Sequence, residues 1–212
     1  MILKIQFLID NTNSWILPYA ESYSNILTKK GFSSKILKNH EEVENGDILI
    51  LLSCEKKFTN LSKNKNNLVI HESDLPNGKG WSPLTHQVLE GKNKIPITLF
   101  EADESFDGGN IYFKEFIELN GDELVDELRE KQAHMTFYLI DKFLKERPNI
   151  NGVKQYGKET FYQRRNPSNS ELDINKTILE NFNLLRIVDN LRYPAFFIHK
   201  NQKYIIKIFK DG

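Results

Sequence analysis

Three apolar runs constrain this chain more than anything else in it: residues 3–9, 47–53 and 67–71. The first is continuous rather than alternating. A strand with no polar face has to be covered on both sides, so it reads as buried in a largely parallel sheet. Residues 47–53 and 67–71 carry the same buried-strand signal, and residues 33–37 form a shorter strand. Between the first two strands lies a polar turn, residues 10–14, and then a helix over residues 15–30. Asn13 or Ser14 is placed to cap that helix, Pro18 falls near its first turn, and Gly31 closes it. Strand, helix, strand, strand with short polar joins is doubly wound α/β grammar.

Further along, residues 72–83 are loop and 84–90 a short helix closed by Gly91. Residues 95–102 and 111–117 are strands separated by a long acidic turn. The strongest helical pattern spans residues 121–146, where Leu124, Leu128, Phe137, Ile140 and Leu144 recur at helical spacing. Asp122 and Glu123 suit the positive end of its dipole. After Pro148 the texture turns polar and basic. A helix over 175–188 and a hairpin of 195–199 with 204–208 follow. The division is a body, 1–148, and an extension, 149–212. In the hairpin, Phe196, Phe197, Tyr204 and Ile206 either close a homodimer or pack on the body.

Composition excludes several classes. Lys plus Arg and Asp plus Glu number 29 each, so no global positive field calls for nucleic acid. One cysteine, Cys54, supports neither an internal disulfide nor a thiolate zinc site. No aliphatic run approaches the about 20 residues of a membrane span, and Asp10 cuts the first apolar run too short for a secretory leader. A cytoplasmic protein with no membrane partner is expected.

Chemical signal is densest at the end of the strand 67–71. His71 closes it, and in open α/β sheets ligands sit beyond the carboxyl ends of strands. A histidine there can move a proton near neutral pH, or simply hydrogen bond. Gly78 and Gly80 let backbone approach a ligand closely. Asp107, before Gly108 and Gly109, is either turn chemistry or a carboxylate facing the imidazole. Trp81 either stacks on a sugar or base or anchors its loop. The turn holding Asn13 and Ser14 either caps its helix or offers amides to a phosphate. Arg164 and Arg165 have the fork geometry that suits phosphate. No phosphate-loop, dinucleotide or metalloprotease motif occurs, and no metal cluster is expected.

Taken in order, His71-Glu72-Ser73-Asp74-Leu75-Pro76, then Gly80, Pro83, Gly91, Pro96-Ile97-Thr98 and Asp107-Gly108-Gly109-Asn110-Ile111 resemble the folate-dependent formyltransferase family. Thr160-Phe161-Tyr162-Gln163-Arg164-Arg165-Asn166-Pro167, Leu172-Asp173-Ile174, Leu185-Arg186-Ile187-Val188-Asp189 and Tyr193-Pro194-Ala195 resemble the linker and hairpin start of its methionyl-tRNA and sugar-nucleotide members. The resemblance implies a Rossmann-like, mostly parallel sheet with helices on both faces, plus a short C-terminal helix and β-hairpin. It implies 10-formyltetrahydrofolate as co-substrate, no metal, and His71 and Asp107 as the catalytic pair, with Asp107 orienting the ring. On the donor side it implies Ser53, Cys54, Leu75, Pro76, Glu101, Asp103 and Asp107; on the acceptor side Asn13, Ser14, Ser73, Gly80, Trp81 and Arg164. The acceptor expected is the amine of a UDP- or dTDP-linked amino sugar. Glycinamide ribonucleotide, or a catalytically weak folate or nucleotide-sugar binding protein, are the alternatives. Two positions depart from the family pattern. Pro96 replaces a glycine, and Val69 replaces the asparagine that helps hold the formyl oxygen. The amides of residues 78–80, or Asn67, are the substitutes to look for.

Overall fold

The computed structural model describes residues 2–211. Its strands are β1 (Lys4–Leu8), β2 (Ser33–Leu37), β3 (Gly46–Leu51), β4 (Asn64–His71), β5 (Lys79–Gly80), β6 (Lys94–Glu101), β7 (Ile111–Glu118), β8 (Phe161–Tyr162), β9 (Ala195–His199) and β10 (Gln202–Ile206). The α-helices are α1 (Leu17–Lys29), α2 (Pro83–Leu89), α3 (Val125–Glu146) and α4 (Phe182–Ile187). The main sheet has the order β2-β1-β3-β4-β6-β7. β2, β1, β3 and β4 run parallel, while β6 is antiparallel to both β4 and β7. The chain moves from β1 outward to β2 and then returns past β1 to β3. The carboxyl ends of β1 and β3 therefore flank the topological switch point, the place where such sheets bind ligands.

The near-continuous apolar strands are buried as their patterning requires. Ile5, Phe7, Ile48, Ile50 and Leu68 face one side and pack under α1, α2 and α3, where Tyr23 stacks on Phe137 at 4.5 Å. Leu8, Leu37 and Leu49 face the other side and pack with Val43 and Phe58, from segments carrying the 3-10 helices His40–Glu42 and Leu61–Lys63. The crossover from β3 to β4 is thus a loop with one 3-10 turn. That leaves the carboxyl end of the sheet open on this side.

Several sequence expectations shift. α1 begins at Leu17, behind Ile16, with no side-chain cap. The side chain of Asn11 instead accepts the N–H of Asn13 at 3.1 Å, and Ser14 N–H goes to the carbonyl of Asn11 at 2.9 Å. The helix expected over 175–188 shrinks to Phe182–Ile187. Ahead of it, the Asn181 amide donates to the carbonyls of Asp173 and Thr177, and Thr177 and Glu180 bond each other. Such side-chain bonding competes with helix, and Ile178 and Leu179 are exposed with nothing to bury against. In the hairpin, Lys200 and Asn201 both have positive φ and form a two-residue turn, which moves β10 two residues earlier than expected. Phe196 is buried and Ile206 packs on the extension's own cluster, while Tyr204 is exposed and stacks on Phe197 at 5.1 Å.

The extension is fastened to the body by a buried ion pair. Arg186 of α4 and Glu123, just before α3, are 1% and 3% exposed and lie 3.1 Å apart. Burial pushes the Glu123 carboxyl up, but the N–H groups of Asn120 and Gly121 and the Lys131 ammonium outweigh it and bring it down to about 2. A depressed carboxyl contributes its stability fully above its unfolded value, near 4.5, and loses it as pH falls toward about 2. Melting temperature should therefore decline across that window, and Glu123→Gln should flatten this part of the acid profile.

Candidate active site

A cavity of about 520 Å³ opens at the carboxyl edge of the sheet. One wall is the loop after β3, from Leu51 to Phe58; the other is formed by Gln132 and Thr136 of α3, with Trp15 and Ile16. The end of β4 lies between them, contributing Val69, His71 and Glu72. Asp10, at the end of β1, fixes the first wall. Its carboxylate accepts the amides of Glu55 and Lys56 and lies 2.9 Å from the His40 ring. Burial raises the Asp10 carboxyl, but those contacts outweigh it and hold it below the usual range.

His71 and Asp107 converge on this cavity, with the His71 Nε2 and an Asp107 carboxylate oxygen 3.8 Å apart. That separation is too long for a hydrogen bond. The hydrogen-bond partner of the ring is instead the Gly78 carbonyl, which lies 3.0 Å from His71 Nε2 and orients the ring by accepting its N–H. In the neutral ring the proton then sits on Nε2 and Nδ1 carries the free lone pair. Asp107 is fixed separately. Its carboxylate accepts the Gly80 N–H at 3.0 Å, and its carbonyl accepts the Gln155 amide at 2.9 Å.

Both groups are therefore set by residues 78–81, and these are held by the extension. Gly78 N–H donates to Thr160 Oγ1 at 2.8 Å, Lys79 N–H to the Thr160 carbonyl at 2.9 Å, and Trp81 N–H to the Tyr162 carbonyl at 3.1 Å. This is the parallel β5–β8 pair. Gly80 has φ +100°, and a Cβ there would collide with the Tyr162 carbonyl, so only glycine allows the approach. Of the five non-glycine residues with positive φ among the described residues, Ser53, Ser82 and Asp107 line the cavity. Sparsely populated backbone concentrates at functional sites.

Of the other sequence candidates, Ser14, Ser53, Cys54, Gly80, Trp81, Asp103 and Arg164 line the cavity. Asn13, Ser73, Leu75, Pro76 and Glu101 are not on its wall. Glu101 is committed elsewhere, accepting the Asn67 amide, the Asn66 side chain and the Tyr112 hydroxyl. Burial pushes the Cys54 thiol up to about 12, which removes it as a nucleophile. The Arg164 guanidinium lies over the Trp81 ring at 4.4 Å and reaches Glu55 at 3.2 Å. The amides of Asn13 and Ser14, spent inside their own turn, are not offered to a ligand.

Val69 stands on the wall, and neither substitute for a polar group there is available. The amides of residues 78–80 are spent on Thr160 and Asp107, and the Asn67 side-chain NH2 donates to the Leu61 carbonyl at 2.9 Å. Sequence reading missed Glu72, Arg129 and Gln132, which line this cavity; Arg129 and Gln132, with Arg165, also line an adjoining cavity of about 240 Å³. Arg129 and Gln132 share a helix face at i, i+3, a signal that could have been read. Glu72 carried no such signal. Among the described residues, no group of three or more His, Cys, Asp or Glu could hold a metal ion, and no helix is long and apolar enough to cross a membrane.

No protein-family model matches the chain. A methionyl-tRNA formyltransferase of Rickettsia prowazekii is 30% identical over 142 residues, 63% of this chain and 47% of that protein. The chain spans about half the length of the curated relatives it matches. Among solved structures, a methionyl-tRNA formyltransferase from Clostridium thermocellum superposes with a TM-score of 0.83 at 22% identity, covering 100% of this chain and 94% of that one. A 4-N formyltransferase from Francisella tularensis gives 0.71 at 18%, covering 99% and 98%. HypX from Aquifex aeolicus, solved with tetrahydrofolic acid, gives 0.76 at 15%, covering 98% and 38%. The chain thus shares the fold of these solved formyltransferase structures.

Proposed function

We propose that this chain transfers a formyl group from 10-formyltetrahydrofolate to the amine of a nucleotide-linked amino sugar. The observation that carries this reading is the meeting of His71 and Asp107 on one cavity at the carboxyl edge of a formyltransferase fold. The pterin fits the wall formed by residues 51–58, where Leu51, Leu52 and Phe58 are apolar. The amine approaches from the α3 side. Holding donor and acceptor together removes the entropy of their encounter. As the amine attacks, negative charge develops on the formyl oxygen and a proton must leave the nitrogen. The free Nδ1 of His71 can take that proton, and the resulting imidazolium, stabilised by Asp107, returns it to the departing folate nitrogen. With valine at position 69, the protonated ring also serves to stabilise the oxyanion.

A charge balance of 29 against 29 favours a small acceptor over tRNA. The names of the curated relatives support methionyl-tRNA as the second reading. Incubation with 10-formyltetrahydrofolate and, separately, UDP- and dTDP-amino sugars, glycinamide ribonucleotide and methionyl-tRNA decides between them by mass of the product. Formylated amino sugar is expected. Formylation of methionyl-tRNA alone overturns the acceptor assignment, and no formylated product overturns the transferase.

The β5–β8 frame yields a further expectation. Thr160→Val removes the acceptor for the Gly78 N–H while keeping side-chain shape. Small misplacements of reacting groups are costly, so kcat should fall by roughly 10- to 100-fold with little change in either KM. Thr160→Ser should restore it.

A further inference from the structure

Glu72 is a carboxyl group on the cavity wall that the chemistry above leaves unused. The residue is 9% exposed and forms no salt bridge among the described residues. Its backbone carbonyl accepts the Gln87 side chain at 2.6 Å, which pins its position. Its side chain meets Gln132 of α3, on the opposite wall from the loop 51–58. It follows His71 directly in the chain. A buried carboxyl with no cation is expensive to keep, and its natural partner is a cation that arrives from outside.

Formyl transfer to an amine has a proton account that one histidine does not close. An alkylammonium group must lose one proton to free its lone pair. The attacking nitrogen must then lose a second as the amide forms. The departing folate nitrogen takes back only one. The second proton fits the path through His71 to that nitrogen; the first needs another base.

We propose that Glu72 is a catalytic residue toward the acceptor: its carboxylate binds the incoming ammonium group and takes its first proton, leaving His71 to carry the second to the donor nitrogen. This rests on the formyl-transfer reading. In the step an N–H bond breaks and an O–H bond forms on Glu72, and the nitrogen keeps its electron pair for attack on the formyl carbon. The Glu72 proton passes to solvent when product leaves, matching the one proton the overall reaction releases. Burial raises the Glu72 carboxyl above its ordinary range, although His71 and Gln132 oppose this. A carboxylate so raised is the stronger base for an ammonium proton. The charged groups that act on it are His71 on β4 and Asp107 in the turn after β6; Arg129 on α3 and Arg165 and Arg192 from the extension line the same cavity without pairing with it.

The test is Glu72→Gln, which keeps shape and hydrogen bonding but cannot take a proton. Tetrahydrofolate binding and melting temperature should match wild type. Turnover of an amino-sugar acceptor at neutral pH should fall by roughly 10²–10⁴-fold and should climb with pH as the free amine accumulates. A weakly basic acceptor analogue, already neutral at pH 7, should be formylated nearly as fast by the variant as by wild type. Equal turnover of the ordinary acceptor, or equal loss with both acceptors, overturns the role of Glu72 while the transferase stands. A wild-type protein that formylates neither acceptor overturns the transferase reading and this role with it.

Discussion

His71→Ala should lower formyl transfer by roughly 10²–10⁴-fold, the usual cost of losing a positioned proton-transfer group. The loss should fall on kcat, because the imidazole is asked to act on the adduct rather than to hold either substrate. Asp107→Asn should produce a loss of the same order by a different route. Asparagine can still accept the Gly80 N–H that now reaches the carboxylate at 3.0 Å. The charge that stabilises the imidazolium, 3.8 Å away, is gone. Stopped-flow measurement of tetrahydrofolate release checks both, with tetrahydrofolate binding as the control. A His71→Ala protein that keeps most of its turnover would remove the basis of the mechanism. An Asp107→Asn protein that loses binding and rate together would make Asp107 a structural residue.

Arg186→Met should be the most damaging substitution outside the cavity. Its guanidinium is 1% exposed and reaches the Glu123 carboxylate at 3.1 Å and the Glu123 carbonyl through Nε at 3.1 Å. Removing one member of a buried pair strands the other charge and costs about 3–5 kcal/mol. Spread over a domain of this size, that corresponds to a fall in melting temperature on the order of 10 °C. The double variant Arg186→Met with Glu123→Leu removes both charges and should recover much of the loss. Calorimetry on the two variants checks this. A single variant that melts with wild type would mean that Lys131, 3.0 Å from Glu123, carries the pair alone.

The parts of the molecule legible in the sequence are those encoded locally. Continuous apolar runs located β1, β3 and β4 because burial on both faces leaves a compositional trace at the strand itself. The order of motifs from His71 to Asp107 located the two residues that meet in the cavity. What could not be read was set by distant partners. Nothing in Phe161 or Tyr162 announces that their backbones pair with Lys79 and Gly80, because a two-residue parallel ladder has no periodicity. The partner of the His71 ring turned out to be a backbone carbonyl, which any residue could supply. The helix expected over 175–188 failed for a local reason. Asp173, Thr177 and Asn181 carry side chains that bond the backbone of their own segment, and this outweighed the apolar spacing.

The threading of residues 155–162 back onto the loop 78–81 bears on how chains of this fold can be recombined. A chimera joined at residue 148, the natural seam by composition, would import a foreign frame for the two reacting side chains along with any new acceptor preference. Activity would fall even where each half kept its own shape. A junction beyond Arg165 leaves that frame with its parent, so a swap made there would alter what is selected without disturbing how it is processed.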